Sequence, residues 1–273
     1  MSRVRKPAVA GLFYPSQPAA LLSAVQALVA VPDTGPTPAV AVIVPHAGYQ
    51  YSGRTAGAVL SRIEVPRRVV ILAPNHSGAG SATHGGSVYA VGALRTPLGD
   101  VPVDELLAAD LLARCALLDD DPDAHRTEHA VEVMLPLLLA RRPDVAVVPI
   151  LLGWTDWPRT RALAEALADA VRASDEAVLL LASSDMNHFE AVGISREKDA
   201  LALAEIAKLD GEALLDVTKR QRISMCGRVP AAAALHAARL LDASGAEVVD
   251  YSHSGMVTGD DSAVVGYAGV VIA

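Results

Sequence analysis

The chain has 273 residues, a formal net charge of −8 from 23 basic and 31 acidic residues, and a 52% hydrophobic composition that includes only two Trp and two Phe. A composition of this kind and length suits one α/β domain spanning 1–273. It lacks the basic surface needed for nucleic acid or an anionic membrane, and no apolar run reaches the roughly 18 residues of a membrane span.

Helices and strands alternate along the chain. Leu and Ala at helical spacing predict a first helix over 18–28, followed by a Pro/Gly/Asp/Thr connection over 31–37 that is too short to separate domains. A strand over 39–44 and a helix over 52–63 come next, then strands over 68–72 and 87–91 and a helix over 104–115. The acids of 119–123 read as a cation site or as a solvated loop. Beyond them lie a helix over 129–140, a strand over 145–152, a helix over 158–173 and a strand over 177–182. Three helices over 195–208, 211–219 and 230–243 and two strands over 246–250 and 262–271 complete the pattern. Short Val/Ile/Leu strands between helices predict a three-layer α/β/α sandwich with a mostly parallel central sheet.

In such sheets function gathers beyond the carboxyl ends of the strands. The strand 39–44 leads into Pro45 and His46, the strand 68–72 into Asn75 and His76, and the strand 177–182 into Asp185 and His188. Imidazole is a common ligand for iron, copper, nickel and zinc, so three histidines delivered in the same way point to one open metal site. Asp185 can bind the metal, orient a ligand or act as a base. Cys226, in Met-Cys-Gly-Arg, is either a buried inert thiol or one whose pKa is lowered by Arg228, whereas Cys115 sits in an apolar helical pattern and reads as core. Two thiols and no charged-then-apolar leader suggest a reducing cytoplasm.

Glu128 and Glu132, spaced i and i+4 with His129 beside the first, fall on one helix face as acid/base groups or as an ordinary acidic helix start. His84, His125 and His236 read as structural or surface residues, while His253 follows a strand and could line the same cleft. No Gly-x-Gly-x-x-Gly, P-loop or Gly-x-Ser-x-Gly pattern occurs, which disfavours nucleotide cofactors and a serine nucleophile.

Taken together, Arg5-Lys-Pro-Ala-Val-Ala-Gly-Leu-Phe-Tyr-Pro, Pro45-His46-Ala-Gly-Tyr, Ala-Pro-Asn-His76, Arg95-Thr-Pro-Leu-Gly, Glu128-His129-Ala-Val-Glu132, Ser183-Ser-Asp185-Met-Asn-His188 and Met225-Cys226-Gly-Arg resemble, in order, the Memo family. Its bacterial and archaeal members are called AmmeMemoRadiSam system protein B. The resemblance implies a fold similar to class III extradiol dioxygenases and a cleft whose metal ligands match His46, His76, Cys226, His188 and Asp185. It implies iron, with copper or zinc as alternatives, and His188 with Asp185 as acid/base groups. It further implies oxygen-linked chemistry on a small aromatic substrate and association with a radical SAM protein and an AMMECR-type protein. The alternative it leaves open is a non-catalytic cleft for a peptide or phosphopeptide, or a metal buffer. Phe189-Glu190 stand where animal members have Trp and Gly, and Ser77 stands where some relatives carry a second histidine, so the substrate's shape is not implied.

Overall fold

A computed structural model describes residues 3–30, 35–82 and 84–273, so positions 31–34 of the connection read at 31–37 lie outside the described residues. In chain order the elements are β1 (Val4–Arg5), α1 (Pro18–Leu28), β2 (Ala41–Val44), α2 (Tyr49–Arg62), β3 (Arg68–Pro74), β4 (Gly86–Val88), β5 (Ala93–Thr96), β6 (Gly99–Pro102), α3 (Glu105–Arg114), β7 (Leu118–Asp120) and α4 (His129–Glu132). Then come α5 (Leu135–Arg141), β8 (Ala146–Leu152), α6 (Trp157–Ala173), β9 (Val178–Ser183), β10 (His188–Glu190), α7 (Val192–Ala207), α8 (Gly211–Arg220), α9 (Arg228–Leu240), β11 (Ala246–His253), α10 (Gly255–Thr258) and β12 (Val264–Ile272).

The centre of the main sheet is β2, β9, β3 and β8, all parallel, with Ile43 opposite Ala182, Ile71 opposite Leu181 and Leu72 opposite Ile150. Every residue of β2, β8 and β9 is buried, which is why these strands read as unbroken apolar runs instead of alternating. Helices cover both faces. The Ala-rich α9 lies on β2, β3 and β9 with α6 and α8 against it, and α1, α2 and α5 pack together as a group. Small side chains over Ala231–Ala234 bring the α9 backbone close to the sheet, and all four are fully buried.

The α/β/α layering follows the sequence, but the sheet is mixed and not mostly parallel. β12 is antiparallel to both β2 and β11, and β4 is antiparallel to β8. The physical reason is connection length. The segment between His253 and Val264 holds only the short α10, and a parallel crossover needs about a dozen residues or more, so the two strands return side by side as an antiparallel pair. A separate small sheet joins β1, β5 and β6.

The helix predicted over 129–140 is two helices. Pro136 stands in the first turn of α5 and has no N–H to give the carbonyl of Glu132, so the α-helical ladder breaks at Val133 and Met134. The break leaves α4 as a short turn whose first residue is His129. No helix among the described residues is long and apolar enough to cross a membrane.

The N-terminal segment is tied down by one buried carboxylate. Glu132 accepts hydrogen bonds from the backbone N–H of Ala8 at 2.8 Å and Val9 at 3.0 Å and from the Tyr14 hydroxyl at 2.6 Å, and it pairs with the Arg5 guanidinium. Arg5 also donates to the carbonyls of His125 at 3.0 Å and Glu128 at 2.7 Å. This latch lays Leu12 and Phe13 along the strand ends.

Candidate metal centre

Three parallel strands end on the same side of the sheet, and each is followed within two residues by a polar group: β2 by His46, β3 by His76 and β9 by Asp185. The fourth contributor comes from a helix. His129 opens α4, and the ligand nitrogens of His46, His76 and His129 all lie within 4.8 Å of one another, a group that can hold a metal ion. The rings of His76 and His129 stack with centroids 4.7 Å apart, and His46 meets both edge-on at 5.2 and 5.4 Å.

Hydrogen bonds fix which nitrogens face inward. The Ser183 hydroxyl donates its only proton to the Ala130 carbonyl at 2.7 Å, so at 2.8 Å from His46 it must accept from Nδ1–H. That leaves the lone pair of neutral His46 on Nε2, the ligand tautomer. His76 is held twice by Glu128: its backbone N–H donates to Oε2 at 2.8 Å and its ring Nδ1–H to Oε1 at 2.9 Å. His129 Nδ1 lies 3.4 Å from the same Oε1. Carboxylate support of this kind sets ring orientation and raises ligand basicity.

Titration follows the same geometry. Burial, with His76 and His129 nearby, holds His46 well below its ordinary pKa and therefore neutral. Burial also opposes protonation of His76, but the hydrogen bond and charge of Glu128 outweigh it and raise the imidazole. Burial opposes ionisation of Glu128, yet His76 and the N–H groups of Ala130 and His76 bring its pKa down to about 2.

The five residues expected as ligands have different surroundings. His46 and His76 stand in the three-histidine group. Cys226 Sγ lies 3.2 Å from His46 Nε2 and accepts from the Asp185 N–H at 3.3 Å. Its thiol is pushed up by burial and then by Asp185, which favours the buried-thiol reading of the sequence over the one in which Arg228 lowers it. The Asp185 carboxylate accepts from the His46 N–H at 2.8 Å, which pins the loop that carries this imidazole. Burial raises the Asp185 pKa. His188 lines the cleft beyond the cluster, its backbone N–H donating to Ser224 Oγ at 2.8 Å and its ring Nδ1 without a partner. No hydrogen bond joins the Asp185 carboxylate to the His188 ring among the described residues.

Other expectations resolve more simply. Glu128 and Glu132 act separately, since Glu128 is the N-cap of α4, accepting from Ala130 N at 2.9 Å, and Glu132 belongs to the latch. His253 ends β11 buried beside Arg196 and Asp261 and is not among the residues lining the cleft. His125 is buried and bonds to the Ser87 carbonyl at 3.0 Å, and His236 packs edge-on against Trp157. Within 119–123, the buried Asp121 accepts from the N–H groups of Ser81 and Ala82 and the Ser87 hydroxyl, so it is a loop anchor.

The group His46, His76 and His129 opens on a cleft of about 390 Å³ whose walls include Phe13, Tyr51, His188 and Phe189. Phe13 lies against His129 with centroids 4.9 Å apart. His129 is the member that reasoning from strand ends missed. The available signal was its place directly after Glu128, an acceptor able to cap a helix and aim the next side chain.

The sequence pattern of the Memo-like protein family matches residues 5–271. The chain is 38% identical to a MEMO1 family protein of Methanopyrus kandleri, covering 98% of each chain. It is also 38% identical to one of Aquifex aeolicus, over 98% of this chain and 99% of the relative. With one from Methanocaldococcus jannaschii the identity is 36% over 100% of both.

Proposed function

The chain belongs to the Memo-like protein family, and on that premise we propose that it is a metal-dependent oxidoreductase holding iron, or copper in its place, at His46, His76 and His129 and acting on a small phenolic or other aromatic substrate. The observation that carries the reading is the convergence of three imidazoles in an open cleft, with His46 fixed as a neutral ligand tautomer by Ser183 and His76 anchored by Glu128. Three imidazoles suit iron, copper, nickel and zinc, and the Cys226 sulfur beside His46 adds a soft donor that iron, copper and zinc all accept. When bound, iron or copper supplies electron transfer between the aromatic substrate and dioxygen.

The chain's own groups do the rest. Phe13, Tyr51 and Phe189 offer apolar and aromatic walls of the size a single ring needs. His188, an imidazole in the wall of this cleft, is the group that takes a proton from a phenolic hydroxyl and returns it. Asp185 holds the backbone of His46 and so keeps that imidazole in place. The proposal includes a functional association with a radical SAM protein and an AMMECR-type protein, which copurification with the tagged chain would test.

The central experiment is elemental analysis after anaerobic purification, comparing the wild type with a His46→Ala, His76→Ala, His129→Ala variant whose fold is checked by circular dichroism. The expected result is near-stoichiometric iron or copper that the folded variant has lost, followed by oxygen uptake with at least one phenol. Metal retained by the variant, or no uptake with any phenol tested, overturns the reading.

A further inference from the structure

The cleft over the three histidines does not end at Phe13. Next to it lies a second hollow of about 510 Å³, and Leu12, Phe13 and Gln50 stand in the walls of both. Beyond that shared ridge the hollow is formed by Pro15, by Ala24 and Leu28 of α1, and by Tyr49 at the start of α2. No acidic or basic side chain among the described residues lines it. Its two tyrosines direct their hydroxyls elsewhere, Tyr14 to Glu132 at 2.6 Å and Tyr49 to the Val133 carbonyl at 2.7 Å. Gln50 is the remaining polar side chain, so the hollow offers hydrocarbon, aromatic ring and one amide.

These walls are open to a ligand. Leu12 is 78% exposed, Gln50 is exposed, and Phe13, Pro15, Ala24, Leu28 and Tyr49 are each half-buried. A hydrogen-bonded turn holds Leu12 out. Its N–H and that of Phe13 donate to the Val9 carbonyl at 3.0 and 2.9 Å, and the Gly11 N–H donates to the Tyr14 carbonyl at 2.7 Å. The Phe13 carbonyl in turn accepts from the Tyr49 N–H at 2.7 Å. Glu132 fixes both ends of this turn, through the Val9 N–H and the Tyr14 hydroxyl. An apolar side chain kept in water on the ridge between two hollows stands where a bound molecule would cover it.

On the reading that an aromatic ring occupies the metal cleft, we propose that the substrate class is a phenol with an uncharged hydrocarbon tail. The ring lies beside His188, and the tail crosses Leu12 and Phe13 into the hollow against Ala24 and Leu28. Continuity fixes the occupant, since a tail tethered to a ring in the cleft reaches the hollow without leaving apolar surface. A charged end to the tail does not fit, because a carboxylate or ammonium group there would lose water and find no partner of opposite sign. The two spaces together exceed what a single-ring phenol fills and lie within the range of pockets that hold larger organic ligands.

The test is equilibrium dialysis of radiolabelled phenol, 4-propylphenol and 4-heptylphenol, each below its micelle concentration, on the full chain as purified. Covering a methylene is worth about fourfold in affinity, so even two covered carbons make the heptyl compound bind at least about tenfold more tightly than phenol. Ala24→Phe fills the hollow and should weaken 4-heptylphenol by about tenfold or more while leaving phenol within about twofold, with an unchanged circular dichroism spectrum. Leu12→Ser removes the ridge without touching the turn's backbone and should weaken the heptyl compound by about threefold to tenfold. No gain from phenol to 4-heptylphenol, an equal loss of phenol in Ala24→Phe, or a gain that either folded variant leaves intact would each overturn the assignment, the last because it marks partitioning onto general apolar surface. Sedimentation velocity on the same samples decides between occupants: a dimer that Leu12→Ser dissociates would give the hollow to a second copy and overturn the tail. Tail-dependent binding without oxygen uptake supports the tail site and overturns the oxidoreductase reading, whereas oxygen uptake with phenol and no tail effect does the reverse.

Discussion

Glu128 and Glu132 stand four residues apart on the same short segment and do opposite things. The Glu132 carboxylate is wholly enclosed, and its partners are fixed donors, namely Arg5, two backbone N–H groups and the Tyr14 hydroxyl. The Glu128 carboxylate is as deeply buried, at 1% exposure, but its partners His76 and His129 are 33% and 24% exposed and keep a ring nitrogen free. A carboxylate whose donors are all consumed seals the chain. One whose donors have a second face builds a site, because its charge is passed on to atoms that a ligand can reach.

Glu132→Ala is the most severe way to break the sealed side. Removing one partner of a buried ion pair leaves an uncompensated charge and orphaned N–H groups, so a stability loss of about 3–5 kcal/mol is expected from denaturant midpoints. Metal content measured at a temperature where the variant is folded should be close to wild type, and a metal loss matching the fraction unfolded would be consistent with that. A midpoint within experimental scatter of the wild type would mean the latch does not hold the N-terminal segment.

The next effect is a pH dependence at His125, whose carbonyl receives Arg5. Burial lowers its pKa to about 4, opposed by its bond to Ser87, against an ordinary value of 6.5. The folded pKa lies below the unfolded one, so this stability is complete above pH 6.5 and is lost as the pH falls from 6.5 toward 4. At about 1.4 kcal/mol per unit the loss approaches roughly 3 kcal/mol. Comparing wild type with His125→Asn across that window should show a flatter curve for the variant. Parallel curves would remove His125 from the acid response.

The strands that carry the site were legible because burial on both faces writes itself as unbroken apolar runs, and β2, β3 and β9 are such runs. His46 and His76 could be found by inspecting the residues just beyond each strand. His129 could not be found that way: its local signal is the capping Glu128 before it, and that α4 starts over the end of β3 depends on Pro136 breaking a longer helix and on the sheet lying beneath it. The antiparallel return of β11 and β12 was legible in principle from the short segment between them, and was obscured by the alternating pattern elsewhere. Asp185 illustrates a further limit. Its place three residues before His188 suggested a partnership along the chain, whereas its carboxylate reaches across to the backbone of His46 in the loop after the neighbouring strand β2.

Glu128→Gln sharpens the comparison from the open side. The amide keeps an acceptor oxygen for capping α4 but loses the charge that supports His76, so metal affinity should fall about 10–100-fold by competition with a calibrated chelator while stability changes by about 1 kcal/mol. A stability loss as large as that of Glu132→Ala with unchanged metal affinity would show that the two glutamates have the same role.

The smallest effect is expected at Phe189, where the open side departs from the ordinary rules of the chain. Its φ of 59° is left-handed, and its ring is 76% exposed at the mouth of the cleft. A residue with a Cβ gives up about 1 kcal/mol or more in that conformation, and a solvent-facing phenyl recovers little of it by burial. Glycine removes the strain but adds about 0.5–1 kcal/mol of unfolded-state freedom, so Phe189→Gly should leave stability within about 1 kcal/mol of wild type. If the ring is held there to contact an aromatic substrate, the same variant should raise KM severalfold in whichever phenol assay responds, with kcat little changed. An unchanged KM would mean that the strained ring does not contact the substrate, and the apolar wall of the site would then rest on Phe13 and Tyr51.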